Sequence, residues 1–358
     1  MSHLTFLEAA VVGLIQGVSE MFPVSSLGHN VLIPALVGGS WARDLNVATP
    51  ESPYLAFIVG LHVATALALL VYFWRDWVRI IGGFFSSIRD RSVATDDQRL
   101  AWMIILATIP VGMAGVAFEH AFRVIFGKPV YAAIFLAVNG VILIAGERYR
   151  TRASLGADVA IAAERRPAPA AAVRQREPAA AARQREPAAS ARPPAFTAAG
   201  RPAPQAGRHR SGGQAARPLE MADAARSDQR LASMGYPQAV AVGSAQILAL
   251  LAGISRDGVA MVAGMARGLS REDAARFAFL LATPVILAAG ALKIPDLFGP
   301  LGNGIRGQIL LASVLSGVGA YLSVRFLLRY LRTRTLTPFG VYCLVAGLAS
   351  VIYLGLIK

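Results

Sequence analysis

The stretch Leu55–Trp74 reads LAFIVGLHVATALALLVYFW and contains no Asp, Glu, Lys or Arg. A helix needs about 20 apolar residues to cross the hydrocarbon core of a bilayer, so this run predicts a transmembrane helix. Other runs free of those four residue types have similar lengths: Ala101–Phe118, Val130–Gly146, Phe277–Leu292, Gly307–Val324 and Pro338–Ile357. The sequence therefore predicts an all-α polytopic membrane protein with about six transmembrane helices.

The composition supports this class. Of the 358 residues, 55% are hydrophobic and only 16% are charged, whereas soluble domains average about 25% charged residues. The single cysteine, Cys343, excludes an intramolecular disulfide and argues against a cysteine metal site. An ordinary soluble domain is therefore disfavoured.

A compositionally distinct segment covers residues 150–236. It is rich in Ala, Pro, Gly, Gln and Arg, and the heptapeptide RQREPAA begins at Arg174 and again at Arg183. Such a segment has too little large apolar surface to offset the entropy lost on ordering, so we expect a disordered linker. Its excess of arginine also allows binding to nucleic acid or anionic lipid, but a solvated linker is the simpler interpretation.

The arginine-rich segments predict the topology, because short loops rich in Lys and Arg stay in the cytoplasm. These segments are residues 75–99, the linker, and the turn that holds Arg325, Arg329, Arg332 and Arg334. With all three inside, two further apolar stretches enter the membrane from opposite faces. Both stretches are interrupted by polar residues and glycine or proline, so we expect re-entrant helical hairpins at residues 9–49 and 237–268.

An internal repeat relates the two hairpins. A shift of 230 positions pairs Gln16 with Gln246, Ser25 with Ser255 and Gly28 with Gly258. Opposite orientations and matching broken segments are typical of inverted-topology repeats, whose functional site lies near the bilayer midplane. We therefore predict a first repeat at residues 1–149, the linker at 150–236, and a second repeat at 237–358.

Polar residues at membrane depth are costly, so they indicate function. The first hairpin carries Gln16 and Glu20 four residues apart, on one helix face, followed by Ser25, Ser26 and His29. Each has a structural alternative: the serines allow close helix packing, Glu20 forms a structural ion pair with Arg256 of the second hairpin, and His29 lies at an interface.

The second hairpin supplies Ser255 and Arg256 between Gly253 and Gly258. A guanidinium, a hydroxyl and free amides at a helix N-terminus are suited to bind an anion. The joint occurrence of these groups and those of the first hairpin at repeat-equivalent breaks favours a functional site.

The two motifs resemble the membrane undecaprenyl-diphosphate phosphatases of the bacitracin-resistance type. The first family signature is a Glu/Gln-x-x-x-Glu helix followed by Pro-Val-Ser-Ser-x-Gly-His, and Gln16–Glu20 and Pro23–His29 match it. The second, Pro-Gly-x-Ser-Arg-Ser-Gly, is matched at Gly253, Ser255, Arg256 and Gly258. The similarity extends over the chain except for the linker.

The resemblance implies a hydrolase that removes the terminal phosphate of undecaprenyl diphosphate and recycles the carrier lipid for peptidoglycan synthesis, with a link to antibiotic resistance. It implies catalytic roles for Ser26 as nucleophile, His29 as base or proton shuttle, Glu20 and Arg256. It also implies that Mg²⁺ or Ca²⁺ is held by Glu20 with help from Gln16, ions that prefer oxygen ligands. The expected substrate-binding residues are Ser25, Ser255, Gly28, Gly253 and Gly258.

The expected location is the bacterial inner membrane, with the linker in the cytoplasm. The expected partners are the lipid substrate and membrane lipids, with no nucleic acid and with a homodimer left open. A transporter or flippase of the polyprenyl phosphate carrier remains the alternative, because inverted repeats with broken helices also occur in transporters.

Three positions depart from the family signatures. Ala252 replaces Pro, Leu27 replaces a usual Thr, and Asp257 replaces Ser. A carboxylate beside Arg256 would repel a diphosphate, pair with the arginine in the resting state, or bind a cation.

Overall fold

The computed structural model describes residues 4–45, 53–126, 128–164, 226–298 and 304–356. Within these ranges the regular structure is helical and contains no strand. The prediction of an all-α chain is confirmed.

The first half of the chain forms seven helices: α1 Phe6–Met21, α2 Ser26–Val37, α3 Gly39–Asp44, α4 Pro53–Tyr72, α5 Trp74–Asp90, α6 Asp96–Phe126 and α7 Pro129–Glu164. The second half begins with α8, residues 226–232. It continues with α9 Tyr236–Ala245, a 3₁₀ turn Gln246–Leu250, α10 Arg256–Ala266, α11 Arg271–Phe298, α12 Arg306–Leu331 and α13 Thr337–Leu356.

The long apolar helices agree with the predicted spans. Five are long and apolar enough to cross a bilayer: Asp96–Phe118, Pro129–Ala153, Arg271–Leu292, Arg306–Leu331 and Thr337–Gly355. The sixth predicted run, Leu55–Trp74, lies almost entirely in α4, which joins α5 at a bend of 85°. The described chain thus holds five candidate spans, or six with this bent pair, and is a polytopic membrane protein.

The arginine-rich segment 75–99 is largely helix α5 rather than a loop. Its apolar side chains Val78, Ile81, Phe85 and Ile88 are exposed and recur at helical spacing. Arg79 instead pairs with Asp76 and Asp97. A helix with one apolar and one charged face is suited to lie along the membrane surface, beside the span that precedes it.

The chain divides into two compact units. One contains Met1–Ser154 and Asp223–Lys358, and the other is Leu155–Ala222. Of the second unit, the structure describes residues 155–164, which form the end of α7. Most of the predicted linker, residues 165–225, lies outside the described residues.

The ends of the predicted linker differ from expectation. Helix α7 continues to Glu164, through an alanine-rich sequence with good helix propensity. At the other end, Leu231 is fully buried, and Asp228 pairs with Arg79 at 2.5 Å and with Arg276 at 2.7 Å. Ion pairs and burial thus fix residues 226–236 to the helical body.

The two predicted hairpins are broken helices whose second halves begin alike. Ser25 caps α2 by accepting a hydrogen bond from the Gly28 N–H at 3.2 Å, and Ser255 caps α10 by accepting one from the Gly258 N–H at 3.1 Å. Pro23 follows the end of α1 and cannot continue its hydrogen bonding. The inverted orientation of the two hairpins, and their re-entry, stay predictions.

Small residues bring α1 against α12. A Cβ atom on Gly13 would approach the Ala312 carbonyl oxygen to 2.5 Å, and one on Gly17 would come within 2.9 Å of the Ser316 Cα. Such close backbone approach is typical of membrane helix pairs. It fixes the helix that carries Gln16 and Glu20.

We expect Gly17→Ala to destabilise the protein by about 1–3 kcal/mol, because the added methyl group overlaps rigid backbone of α12. Thermal unfolding in detergent measures this. Gly112→Ala is the matched control, since a Cβ there meets nothing within 4 Å. Equal melting temperatures for the two variants would contradict the packing argument.

Candidate functional site

A buried carboxylate, Glu20, is the centre of the site. Its Oε2 accepts a hydrogen bond from the Ser26 hydroxyl and another from the Gln16 side-chain amide at 2.9 Å. Its Oε1 accepts from the Arg256 guanidinium at 2.5 Å. Glu20 is 7% exposed, so these donors replace the water that a carboxylate requires.

The contact of Glu20 with Arg256 joins the two halves of the chain. Glu20 lies on α1 and Arg256 is the first residue of α10, so charged residues of the two motifs meet. The pair also fits the structural alternative of an inter-repeat ion pair. A catalytic role for the Glu20–Arg256 pair therefore depends on the groups that surround it.

Asp257 lies beside this pair and is 1% exposed. Its Oδ1 is 3.6 Å from Arg256 Nε, which is too long for a hydrogen bond. Neither oxygen of Asp257 has a hydrogen-bond partner among the described residues. A buried carboxylate without hydrogen bonds is costly, so these oxygens are available to a ligand.

His62 of α4 is a site residue that the sequence analysis missed. Its Nε2 is 3.3 Å from Glu20 Oε2, and its Nδ1 is 2.9 Å from the Ile58 carbonyl oxygen. Both ring nitrogens therefore face acceptors, and the doubly protonated imidazolium satisfies both. In that form His62 and Arg256 balance the charges of Glu20 and Asp257.

His29 contacts Ser25 and Tyr342, and its role as base or proton shuttle stays a prediction. Its Nδ1 contacts the Ser25 carbonyl oxygen at 2.7 Å, and its Nε2 contacts the Tyr342 hydroxyl at 2.7 Å. The His29 and Tyr342 rings are also stacked, 5.8 Å apart. Among the described contacts, the Ser26 hydroxyl donates to Glu20.

Asn139 of α7 ties the two helix breaks together. Its side-chain amide donates to the Pro23 carbonyl oxygen at 2.9 Å, and its Oδ1 accepts from the Ser255 N–H at 3.0 Å. Asn139 is fully buried, so both bonds satisfy groups that a broken helix leaves unpaired.

Glycine allows the breaks to touch. A Cβ atom on Gly28 would approach the Gly253 Cα to 2.9 Å. Gly253 has a φ of +111°, a conformation that side chains other than glycine rarely adopt. The predicted substrate-binding glycines thus have a clear packing role; their contact with substrate stays a prediction.

The structure thus brings Gln16, Glu20, Ser26 and Arg256 into one contact network. Ser25 and Ser255 are helix caps beside it, and His29 adjoins it through Ser25. Sequence reasoning missed His62, Asn139 and Tyr342. His62 and Asn139 each place one polar side chain in an otherwise apolar run, whereas Tyr342 gives no such signal.

The oxygen donors of the site are of the type that a hard divalent cation prefers, and the Glu20 and Gln16 pair stays a prediction. Gln16 is engaged twice, because its Oε1 accepts from the Asn30 side-chain amide at 2.6 Å while its amide nitrogen contacts Glu20. The described residues contain no group of three or more His, Cys, Asp or Glu placed to hold a metal. Beside the Glu20–Arg256 pair, both oxygens of Asp257 lack a hydrogen-bond partner among the described residues.

Comparison with known proteins agrees with this geometry. The family model of bacitracin resistance protein BacA matches residues 9–167 and 215–349, which include every residue of the network. The chain belongs to the BacA family. The resemblance inferred from the two motifs is confirmed.

Curated relatives match this BacA-family chain over nearly its whole length. The undecaprenyl-diphosphatase of Mycolicibacterium paratuberculosis is 54% identical over 355 residues, covering 99% of both chains. The protein of the same name from Mycobacterium avium is also 54% identical, with the same coverage. Undecaprenyl-diphosphatase 1 of Frankia casuarinae is 50% identical, covering 99% of this chain and 100% of its own.

We expect His62→Leu to lower the turnover of this BacA-family chain by about 10–100-fold, because a buried carboxylate loses a charge-assisted hydrogen bond. The more conservative His62→Gln retains a donor and recovers part of that loss. Separate kcat and KM values for the reaction proposed below check this. Wild-type kcat/KM in both variants would show that His62 does not position Glu20.

Proposed function

We propose that this chain is an undecaprenyl-diphosphatase, which hydrolyses the terminal phosphate of undecaprenyl diphosphate and returns the carrier lipid to cell-wall synthesis. The carrying observation is the Ser26–Glu20–Arg256 network, which combines a hydroxyl nucleophile, a proton acceptor and an anion-binding cation. Family membership and the names of its relatives support the substrate.

The first step uses Ser26 as nucleophile. Its hydroxyl already donates to Glu20, so the carboxylate is the group to take the proton as Ser26 Oγ attacks the terminal phosphorus. The bond from phosphorus to the bridging oxygen breaks, and polyprenyl phosphate leaves. Water then hydrolyses the phosphoserine. Direct attack by water held by Ser26 is the alternative, and it leaves no phosphoserine.

Arg256 stabilises the negative charge of the diphosphate. One terminal nitrogen of its guanidinium contacts Glu20, and the group has further N–H donors for phosphate oxygens. The N-terminus of α10, which starts at Arg256, adds backbone N–H groups and a favourable dipole. His62 keeps Glu20 oriented, and Tyr342 and the Ser25 carbonyl hold His29.

A divalent cation, Mg²⁺ or Ca²⁺, is part of the proposal. Asp257 together with Glu20 would hold it, a modification of the expected Glu20 and Gln16 pair. The four charged groups of the site, Glu20, Asp257, Arg256 and an imidazolium His62, sum to zero, so a diphosphate brings uncompensated charge into a buried site. When bound, the cation supplies the compensating charge.

The membrane location follows from the substrate. Its prenyl chain stays in the hydrocarbon while the diphosphate reaches the polar residues between the helices. We place the protein in the bacterial inner membrane with residues 165–225 in the cytoplasm. A homodimer and the absence of nucleic-acid binding stay predictions.

The test is phosphate release from a C15 or C55 polyprenyl diphosphate by the purified full-length protein in detergent. We expect release that EDTA abolishes and that Mg²⁺ or Ca²⁺ restores. A phosphoserine at Ser26, trapped by acid quench and found by mass spectrometry, would separate covalent catalysis from direct attack by water.

The competing function is transport of polyprenyl phosphate, favoured by the broken helices α1–α2 and α9–α10. A folded protein that releases no phosphate under varied metals and lipids, but moves polyprenyl phosphate between leaflets of a vesicle, would replace the phosphatase with this transporter.

A further inference from the structure

A basic cavity of about 410 Å³ lies where α7, the turn between α8 and α9, and the turn between α10 and α11 meet. It shares no lining residue with the Glu20 network. Its lining includes three arginines, Arg150, Arg230 and Arg267, together with the polar side chains of Ser233 and Gln238. The volume is sufficient for a small polyatomic anion.

The cavity has excess positive charge. Its one acidic lining residue, Asp273, is fully engaged: it accepts from Arg230 Nε at 2.7 Å, from the Ser227 hydroxyl at 2.6 Å and from the Ser270 hydroxyl at 2.8 Å. Two arginines of the lining, Arg150 and Arg267, therefore remain without a lining carboxylate to neutralise them.

Neither of those two arginines has an ion pair within the described chain. Glu147, one turn before Arg150, is held by Arg271 and by the Leu336 N–H at 3.1 Å. Arg267 is exposed in the turn after α10. Guanidinium groups present several donors in a fixed plane, an arrangement suited to the oxygens of phosphate.

The cavity lies at the ends of membrane-spanning helices. Arg150 is three residues before the end of the candidate span Pro129–Ala153, and the span Arg271–Leu292 begins four residues after Arg267. Helix ends of this kind lie at the level of lipid headgroups, where basic pockets bind anionic lipids. Free phosphate has the same chemistry and reaches the same level from water.

We propose that this cavity is a second anion site, which binds a phosphate group, of an anionic lipid or in free form, through Arg150 and Arg267. The occupied site connects α7 at residue 150 to the turns before α9 and α11.

The test measures the melting temperature of the full-length protein in nanodiscs. One series replaces phosphatidylcholine stepwise with phosphatidylglycerol, and a second adds inorganic phosphate to phosphatidylcholine nanodiscs. We expect the wild type to be stabilised in at least one series. Response to phosphatidylglycerol alone identifies the headgroup, and response to inorganic phosphate identifies free phosphate.

Arg150→Gln and Arg267→Gln, singly and combined, should each require about tenfold more ligand for the same shift, since each loses charge-assisted hydrogen bonds. Arg152→Gln is the matched control, because it removes the same charge from an exposed position of α7 two residues away. Each shift is measured from the variant's own baseline, so a change in basal stability does not obscure it.

Three results would overturn the proposal. They are no stabilisation of the wild type in either series, equal weakening by Arg152→Gln, and a phosphate response that persists without Arg150 and Arg267 but disappears in Arg256→Gln. The last result would assign phosphate to the catalytic site. Because the readout is stability, failure of the phosphatase proposal would not alter this outcome.

Discussion

Ser26→Ala is expected to lower kcat/KM for polyprenyl diphosphate hydrolysis by at least about a thousandfold, because it removes the attacking oxygen. Phosphate release from the purified variant measures this. The fold should persist, since Glu20 keeps its contacts with Gln16, His62 and Arg256.

The control for Ser26 is another buried serine of the same hairpin. The Ser19 hydroxyl donates to the Ile15 carbonyl oxygen at 2.6 Å and not to the Glu20 carboxylate, so Ser19→Ala should retain activity near wild type. Ser25→Ala removes a helix cap and should cost about 1 kcal/mol of stability. Full turnover by a folded Ser26→Ala protein would exclude Ser26 as nucleophile.

Replacement of Arg256 has the second large effect. We expect Arg256→Gln to reduce kcat by about 10²–10⁴-fold, because the charge that develops on the transferred phosphoryl group loses its guanidinium partner. Arg256→Lys keeps the charge but not the planar donors, so it should recover only part of the rate.

The matched control is Arg325→Gln, the same change at an exposed position of α12. It should leave kcat unchanged. If Arg256→Gln raised KM alone and left kcat intact, the arginine would contribute equally to binding of the substrate and of the transition state. That result would contradict a catalytic role for Arg256.

The membrane class was predictable because a transmembrane helix requires a long apolar run, and such runs are visible directly in the sequence. Leu55–Trp74 and the other apolar runs all lie in long helices. The bend of 85° after α4 was not predictable in the same way. The helix after the bend, α5, resembles a charged loop when only its arginines are considered.

The network residues of the two motifs were predictable because they are charged or hydroxylic groups at helix breaks. His62, Asn139 and Tyr342 were not, since each is a single polar side chain in a span and acquires meaning only from its neighbours. The contact of His29 with Tyr342 was not predictable for a related reason, because the two residues are 313 positions apart in the sequence.

The predicted ends of the linker differ from the ends of the described helices for a different physical reason. Composition identifies a segment that cannot form its own hydrophobic core. It does not show which residues at the ends of that segment pack into the core of the neighbouring helices. Asp228 and Leu231 lie in a polar, alanine-rich sequence, yet they are held by arginines and apolar groups elsewhere in the body.

The contact of Glu20 with Arg256 implies that the protein without substrate already contains an anion where the diphosphate is to bind. The diphosphate therefore approaches a guanidinium that is already paired on one side, and does not fill an empty cationic pocket. This pairing spares the membrane interior an isolated guanidinium between turnovers.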